Sequence, residues 1–332
     1  MAEHALITGG AGFIGAHLAR RLLDEGAEVT LVDDFSRGQR DATFADLERR
    51  ARLVRHDLTR PIPAEAFPTR VDTVYHLAAV VGVQRTQDDP GRVLRTNVLA
   101  ATHLFDWCDL TRPDTVFLSS TSEFADGAAH LGAATFPTSE EVPFVLAEPH
   151  APRSSYALSK AVAESMLLYR AERLRVRIGR YFNVYGPRMG HSHVIPQFVD
   201  RVLEGEDPFR VYGGEHTRAF CHVDDAVAAT VALTRLPDPG PVIANIGDDT
   251  QEIRIAELAR LLLQVAGVSP RLEILGAPAN SPARRLPDLS RLRRLLPGRT
   301  PVPLESGLRQ MLDWYKGERR GPSAEGVPHD GQ

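Results

Sequence analysis

The start of the chain joins a short apolar segment to an amphipathic one through a glycine-rich turn, and this limits the possible folds most strongly. Residues 4–8 form a predicted strand, and residues 13–25 form a predicted helix. Gly9, Gly12 and Gly15 are spaced by three residues. The first glycine permits the tight turn, the second lets a pyrophosphate approach the backbone, and the third allows close packing of helix and strand. Because the helix N-terminus also faces the phosphate charge, the segment predicts dinucleotide binding.

Short apolar segments alternate with amphipathic helices over the first two thirds of the chain. The predicted strands are residues 4–8, 28–32, 52–54, 73–77, 115–118 and 176–179. Strands that are separated by helices form parallel sheets, and ligands of such sheets bind at the carboxyl ends of the strands. The sequence therefore predicts an α/β fold with a Rossmann-type doubly wound parallel sheet, and we expect this domain to span residues 1–186.

The pattern changes after residue 186, where proline and glycine become frequent. Short strands at residues 209–212, 241–245 and 272–275 mix with helices, one of which should begin near Ile255 and end at Gly267. This predicts a smaller C-terminal α/β substrate-binding lobe over residues 187–316, with some of the chain crossing back to the sheet. Residues 317–332 are rich in glycine, proline and charge, and we expect them to be disordered.

Composition and charge exclude several classes of protein. The formal net charge of -4 is too small to favour a binder of nucleic acid or of membrane surfaces. The two cysteines, Cys108 and Cys221, argue against a disulfide framework and suit a reducing cytoplasm. The N-terminus shows neither a signal peptide nor a membrane span. His191 and His193 lack a nearby third ligand, so no metal site is predicted.

Carboxylates after the second and third strands indicate which dinucleotide binds. Asp33 stands about twenty residues after the glycine motif, where it would accept from the adenosine ribose hydroxyls and repel a 2′-phosphate. NAD is therefore the expected cofactor, although Arg37 weakens the preference over NADP. Asp34 is expected to cap a turn. Asp57 and Leu58 are placed to meet the adenine ring, with turn capping as the alternative role of Asp57.

A tyrosine and a lysine form the candidate catalytic pair. Tyr156 and Lys160 lie four residues apart near a helix start, hence on one helix face. An ammonium close to a phenol lowers the pKa of the phenol from about 10 toward the working pH. Such a tyrosine can take the proton of an alcohol that is being oxidised. Thr121 would hold the same substrate oxygen, with turn capping as the alternative, and the Glu123 carboxylate would act further along the substrate.

Several segments together are similar to one enzyme superfamily. Besides the glycine motif and the Tyr156–Lys160 pair they are Tyr75-His76-Leu77-Ala78-Ala79, Asn97, Tyr181-Phe182-Asn183-Val184-Tyr185-Gly186-Pro187, Thr217-Arg218-Ala219-Phe220 and Val223-Asp224-Asp225. From Gly9 to about Tyr315 the chain resembles the extended short-chain dehydrogenase/reductase superfamily, in its nucleotide-sugar epimerase, dehydratase and decarboxylase branch. The resemblance implies NAD, a UDP-sugar substrate and a homodimer. It assigns cofactor contacts to Gly9, Gly12, Phe13, Ile14, Gly15, Asp33, Asp57, Leu58, Leu77, Ala78, Ala79, Tyr156 and Lys160.

The same resemblance bears on the reaction. Members of this branch oxidise the sugar, usually at C4, and differ in the fate of the 4-keto intermediate. Thr121-Ser122-Glu123 is similar to the run in UDP-glucuronate decarboxylases, whereas 4,6-dehydratases typically carry Thr-Asp-Glu. The resemblance thus implies that Glu123 assists ring positioning and proton movement and that Arg285 meets the sugar carboxylate. It also implies that Arg218 pairs with the diphosphate and that Asn183 contacts the nucleotide sugar.

Other reactions stay open, because three segments depart from the decarboxylase pattern. Phe124-Ala125-Asp126-Gly127 replaces the usual Val-Tyr-Gly, residues 190–196 lack an expected arginine, and Tyr-Ala-Leu-Ser-Lys is closer to epimerases. The alternatives are 4-epimerisation and 4,6- or 5,6-dehydration of a nucleotide sugar. A non-enzymatic NAD-binding protein would be expected to lose Tyr156 or Lys160. We expect the homodimer to form through the helices near residues 93–109 and 156–170.

Overall fold

Strands and helices alternate along most of the chain. The computed structural model describes residues 2–36, 41–63, 65–68, 70–278 and 281–320. Its strands are β1 (His4–Thr8), β2 (Glu28–Asp33), β3 (Arg52–Arg55), β4 (Thr73–His76), β5 (Thr115–Thr121), β6 (Arg175–Tyr181), β7 (Val184–Tyr185), β8 (Phe209–Tyr212), β9 (Thr217–Ala219), β10 (Cys221–His222), β11 (Val242–Ile246), β12 (Glu252–Arg254), β13 (Leu272–Leu275) and β14 (Arg284–Arg285). Its helices are α1 (Phe13–Asp24), α2 (Ala42–Arg50), α3 (Val83–Asp88), α4 (Pro90–Thr111), α5 (Phe124–His130), α6 (Ser154–Leu168), α7 (Val194–Glu204), α8 (Val223–Thr234), α9 (Ile255–Ala266), α10 (Ser290–Leu295) and α11 (Leu304–Arg320).

Local sequence signals set several helix boundaries. Helix α2 follows Asp41, whose side chain accepts a hydrogen bond from the amide of Phe44 at 2.8 Å. Pro90 opens α4, where its missing amide proton is not needed. Helix α9 begins at Ile255 and ends before Gly267, which adopts the left-handed conformation at a φ of +71°. The helix predicted from Ile255 to Gly267 is therefore confirmed.

The central sheet has seven parallel strands in the order β11-β6-β5-β4-β1-β2-β3. The chain builds outward from β1 to β3 and then returns to the other side of β1 with β4, so the winding reverses between β1 and β4. The predicted Rossmann-type doubly wound sheet is confirmed. One strand is longer than predicted, because β5 stays paired with β6 as far as Thr121 and Tyr181. The hydroxyl residues 119–121 thus belong to the sheet.

Apolar side chains cover the two faces of the sheet. Ile7 and Phe117 point into the layer under α1 and α8, whereas Leu6 and Leu118 point into the layer under α4 and α6. Neighbouring residues of a strand point to opposite faces, so strands buried on both sides are almost wholly apolar. This packing fixes the carboxyl ends of the strands as one rigid edge, from which the loops of the site project.

A second apolar core lies outside the sheet and joins α7, α9 and α11 to β8. Phe198, Phe209, Leu262 and Leu308 are all fully or almost fully buried there. Between these elements the chain returns to the sheet, since α8 packs under it and β11 pairs with β6 at one edge. The division of the chain at residue 186, with some of the second half crossing back, stays a prediction.

The last helix is longer than the sequence predicts. Helix α11 continues to Arg320, so residues 317–320, which we expected in a disordered tail, are helical. The remainder of that tail, residues 321–332, lies outside the described residues. Within the described ranges no helix combines the length and apolarity needed to cross a bilayer.

Candidate active site

A cavity of about 430 Å³ opens at the carboxyl ends of β1, β2, β4, β5 and β6. This is the edge at which the winding of the sheet reverses, where ligands of such sheets bind. All but one of the predicted site residues line it, namely Gly9, Gly12, Phe13, Ile14, Gly15, Asp33, Asp57, Leu58, Leu77, Ala78, Ala79, Thr121, Glu123, Tyr156, Lys160, Asn183 and Arg285. The fold thus collects residues from positions 9 to 285 at one opening.

The glycine turn after β1 has no room for side chains. A Cβ atom on Gly15 would lie 2.1 Å from the carbonyl oxygen of Gly9, and one on Gly9 would lie 2.8 Å from the amide nitrogen of Ala78. Gly9 also has a φ of +71°, which favours glycine. The turn therefore brings the amino end of α1 against the open edge of the sheet. A pyrophosphate fits this cradle, because backbone amides and the helix dipole face it.

The carboxylate of Asp33 is held in a fixed direction at the end of β2. Its two oxygens accept from the amides of Ala11 at 3.0 Å and Phe35 at 2.8 Å. Burial raises the pKa of Asp33, while the Phe35 and Ala11 amides act in the opposite direction. The position suits a contact with ribose hydroxyls at the mouth of the cavity.

Two other carboxylates of the cavity cap turns. An Asp34 oxygen accepts from the amide of Ser36 at 2.8 Å, as the turn-capping interpretation predicts. An Asp57 oxygen accepts from the amide of Thr59 at 2.9 Å, yet the residue still lines the cavity, so both roles considered for it are compatible with its place. Arg37, which bears on the choice between NAD and NADP, lies outside the described residues.

Tyr156 and Lys160 occupy one face of α6 beside the end of β5. The Lys160 ammonium donates to the carbonyl of Ser119 at 2.8 Å and lies 5.8 Å from the centre of the Tyr156 ring. Lys160 is only 3% exposed, and burial lowers its pKa to about 8, against an opposing effect of Glu164. Next to the pair, Asn97 donates to the Ser159 hydroxyl at 3.1 Å and so ties α4 to α6.

Thr121 and Glu123 lie at the end of β5, opposite the tyrosine. The Thr121 hydroxyl accepts from the amide of Glu123 at 3.1 Å, so the threonine caps this turn while it also lines the cavity. Glu123 lies 3.5 Å from the Arg285 guanidinium and 4.0 Å from that of Arg153. Burial raises the pKa of Glu123, and Asp126 adds to this, while Arg285 and Arg153 act against it.

Asp126 is a residue of this region that sequence reasoning did not assign to the site. Its carboxylate pairs with both Nε and Nη2 of Arg285, the former at 3.2 Å. The only sequence signal was the unusual Phe-Ala-Asp-Gly run after Glu123, which we treated as a departure from the pattern. Because the two partners stand 159 residues apart, no local spacing could have paired them.

Arg218 is the one predicted site residue that the larger cavity does not include. It lines a neighbouring cavity of about 210 Å³, which shares Asn183, Met189 and His193 with the larger one. Its guanidinium donates to the carbonyls of Thr217 at 2.7 Å and Pro282 at 2.6 Å. Burial lowers the pKa of Arg218 to about 10, and the charge of Arg285 contributes to this.

His191 and His193 belong to no metal-binding group of the described residues. His191 lies 2.6 Å from an oxygen of Asp200. Across the part of the chain that the structure describes, no group of three or more histidine, cysteine, aspartate or glutamate side chains could hold a metal ion.

The fold and the site define a Rossmann-type enzyme with a dinucleotide cofactor. The chain belongs to the NAD dependent epimerase/dehydratase family, whose model matches residues 5–247. It is 34% identical to UDP-glucuronic acid decarboxylase 1 of Xenopus tropicalis over 95% of this chain and 73% of that protein. The protein is accordingly an NAD-dependent enzyme that modifies nucleotide sugars.

Solved structures extend the similarity to related reactions. An NAD-dependent NDP-hexosamine 5,6-dehydratase involved in tunicamycin biosynthesis has a TM-score of 0.81 at 30% identity, covering 95% of this chain and 98% of that one. UDP-glucuronic acid 4-epimerase from Bacillus cereus, in complex with UDP-glucuronic acid and NAD, has a TM-score of 0.81 at 27% identity. The coverage there is 95% of this chain and 99% of the epimerase.

Proposed function

We propose that this enzyme decarboxylates UDP-glucuronate to UDP-4-keto-pentose, UDP-xylose or both. The observation that carries the proposal is the placement of Glu123 against Arg285 in the cavity that also holds Tyr156 and Lys160. An arginine at the sugar end can receive a carboxylate, and a glutamate with a raised pKa can supply a proton there. The similarity to a decarboxylase named for UDP-glucuronate supports the same reaction.

The first step is oxidation of the sugar at C4. The Tyr156 phenolate, which the Lys160 ammonium stabilises, takes the proton of the C4 hydroxyl and becomes the neutral phenol, while the Thr121 hydroxyl holds the substrate oxygen. When bound, NAD supplies the two-electron oxidation of that carbon. The cofactor is held by the glycine turn, by Asp33 at the ribose and by the remaining cavity residues that the sequence assigned to it, which are Asp57, Leu58, Leu77, Ala78 and Ala79.

The second step follows from the chemistry of a β-keto acid. The bond between C5 and the carboxyl carbon breaks, carbon dioxide leaves, and the electron pair is delocalised onto the C4 oxygen as an enolate. A proton then adds to C5, and Glu123, which lines the cavity, is the candidate donor. This gives UDP-4-keto-pentose, and UDP-xylose forms only when the two electrons taken in the first step are returned to C4. Arg285 orients the carboxylate before it leaves, while Arg218 and Asn183 bind the diphosphate and the nucleotide sugar.

The experiment is incubation of the enzyme and NAD with UDP-glucuronate, with carbon dioxide and the sugar product followed together. We expect one carbon dioxide for each UDP-pentose formed. Galacturonate without carbon dioxide would indicate a 4-epimerase instead. A 4-keto-6-deoxy sugar or a 5,6-unsaturated sugar formed from a neutral UDP-hexose would indicate a dehydratase. The Glu123→Gln variant should slow the step after oxidation far more than it weakens substrate binding. An unchanged turnover would contradict the role of Glu123.

Two properties of the whole enzyme belong to the proposal. We place it in the cytoplasm, a compartment that suits its two cysteines, which are both buried and free. We also propose a homodimer that pairs α4 and α6 of the two copies. Leu110, near the end of α4, is 75% exposed, and Tyr169, directly after α6, is 86% exposed. The Arg170–Asp109 pair at 2.9 Å joins these two helix ends, so the exposed side chains support an apolar contact there.

A further inference from the structure

Two carboxylates pair with Arg285, and one of them makes the closer contact. Asp126 takes the Nε–Nη2 edge of the guanidinium in a bidentate pair, whereas Glu123 reaches only Nη2, at 3.5 Å. The side chain of Arg285 is 13% exposed, so solvent screens this competition only weakly. Glu123 and Arg285 line the cavity, whereas Asp126 does not.

We infer that Asp126 is a positioning residue of the sugar site: its carboxylate holds Arg285 side-on and keeps it from pairing fully with Glu123. The inference rests on the proposed function, because it assigns Glu123 a proton-transfer role. It concerns the proton transfer that follows oxidation, which decarboxylation and dehydration need and 4-epimerisation does not.

Helix α5 fixes the direction of the Asp126 side chain. Glu123 precedes the first residue of α5 and Asp126 follows three positions later, so the two carboxylates share one side of the helix. The helix cannot shift easily, since a Cβ on Gly127 would lie 1.8 Å from the carbonyl oxygen of Val145. The Asp126 carboxylate is therefore rigidly placed, and its hydrogen bonds hold the Arg285 guanidinium in a fixed orientation.

The start of α5 is anchored by a second buried pair. The Arg180 guanidinium lies 4.5 Å from the centre of the Phe124 ring and donates to both oxygens of Glu164, at 3.0 and 2.8 Å. Phe124 directly follows Glu123. The backbone at Glu123 is thus fixed through its neighbour Phe124, while Asp126 fixes the orientation of Arg285.

The charges around Glu123 then determine when it carries a proton. The charged groups that face it are Arg285 of β14, Arg153 at the start of α6, and Asp126 of α5. Loss of the Asp126 charge removes a like charge and also frees the Nε–Nη2 edge of Arg285 for Glu123. Both changes favour the carboxylate of Glu123, so both lower its pKa.

The test compares Asp126→Asn with Asp249→Asn. Asp249 also pairs with an arginine of this segment, through Nη2 of Arg293 at 2.5 Å, but does not line the cavity. Single-turnover measurements across pH would follow reduction of the cofactor first and formation of the sugar product second. In Asp126→Asn we expect the pH midpoint of the second step to move down by roughly one pH unit. The pH dependence of the first step should stay as in the parent, and Asp249→Asn should change neither.

The outcomes separate this inference from its alternatives. An unchanged midpoint in Asp126→Asn, or an equal loss of both steps without a shift, would overturn it, because a merely structural residue behaves in that way. If the asparagine variant fails to fold, Asp126→Ala, which suits a helix, is expected to give the same shift. If the parent releases no carbon dioxide, the decarboxylase proposal fails. The midpoint for a dehydrated product would still test Asp126, whereas a 4-epimerised product would overturn the inference, because that reaction needs no proton from Glu123.

Discussion

At the scale of single residues, the site keeps a charged group where the fold would favour a neutral one. Lys160 is buried beside the end of β5, and the pKa of its ammonium falls from the usual 10.5 to about 8. Its one described protein partner for hydrogen bonding is the carbonyl of Ser119. Such a cost is typical of functional sites, where a charge serves the chemistry rather than the stability.

Removing that charge should therefore stabilise the protein. The unfolded chain binds more protons than the folded one between pH 8 and pH 10.5, so the parent gains stability as pH rises through this range. Lys160→Met has no such dependence. Chemical denaturation at several pH values should show the gap between the two unfolding free energies change by about 3 kcal/mol in favour of the parent. A constant gap would mean that the ammonium is not desolvated.

At the scale of elements, the glycine turn between β1 and α1 is the least tolerant connection of the site. A Cβ atom on Gly15 would meet the backbone of Gly9 and Gly10. The amides of both glycines donate to the carbonyl of Val32 in β2, so neither glycine can move without disturbing its hydrogen bond to that strand. Backbone contacts of this kind do not yield as a flexible side chain does. The turn therefore couples cofactor binding to the integrity of the first strand–helix unit.

A methyl group tests this coupling. In Gly15→Ala we expect NAD affinity to fall at least about tenfold and the free energy of unfolding to fall by about 1–3 kcal/mol. Gly317→Ala in α11 is the matched control, since no atom lies within 4 Å of its added methyl group. That variant should be stabilised by about 0.5–1 kcal/mol and bind NAD as the parent does. Calorimetry with NAD and thermal unfolding provide both measurements, and unaltered NAD binding in Gly15→Ala would contradict the expectation.

The elements also show how far sequence reasoning reaches. Period and glycine spacing are local signals, so they predicted the central sheet, the glycine turn and the Tyr156–Lys160 face. Short strands such as β9 and β14 have no period of their own and exist because each pairs with the other. The same limit applies to the Asp126–Arg285 pair, which depends on how a distant segment folds back onto α5.

At the scale of the whole molecule, ion pairs fasten the C-terminal segment to the rest of the chain. Arg284 pairs with Glu252 at 2.8 Å, and Arg291 pairs with Glu141 at 2.5 Å. The first pair joins β14 to β12, and the second reaches the loop that follows α5. The segment that carries Arg285 is therefore held by one ion pair before this arginine and one after it. The two pairs fix the position of Arg285 in the site.

The proposed dimer is also a property at this scale. A mass of twice the 36.5 kDa chain is expected in solution. The double variant Leu110→Glu with Tyr169→Glu places charge on the proposed contact and should yield monomers. Ile274→Glu, at a 49% exposed residue of β13, is the control and should leave the mass unchanged. Light scattering after gel filtration measures all three, and a monomeric parent would contradict the dimer.

The account depends on Tyr156 as the group that takes the proton of a sugar alcohol. Tyr156→Phe removes only the phenolic oxygen, so the variant should bind NAD and nucleotide sugar as the parent does. The most direct measurement is the rate of cofactor reduction in a single turnover with saturating UDP-glucuronate. We predict a loss of about 10²–10⁴-fold for the variant. A variant that reduces its cofactor as fast as the parent would contradict the account.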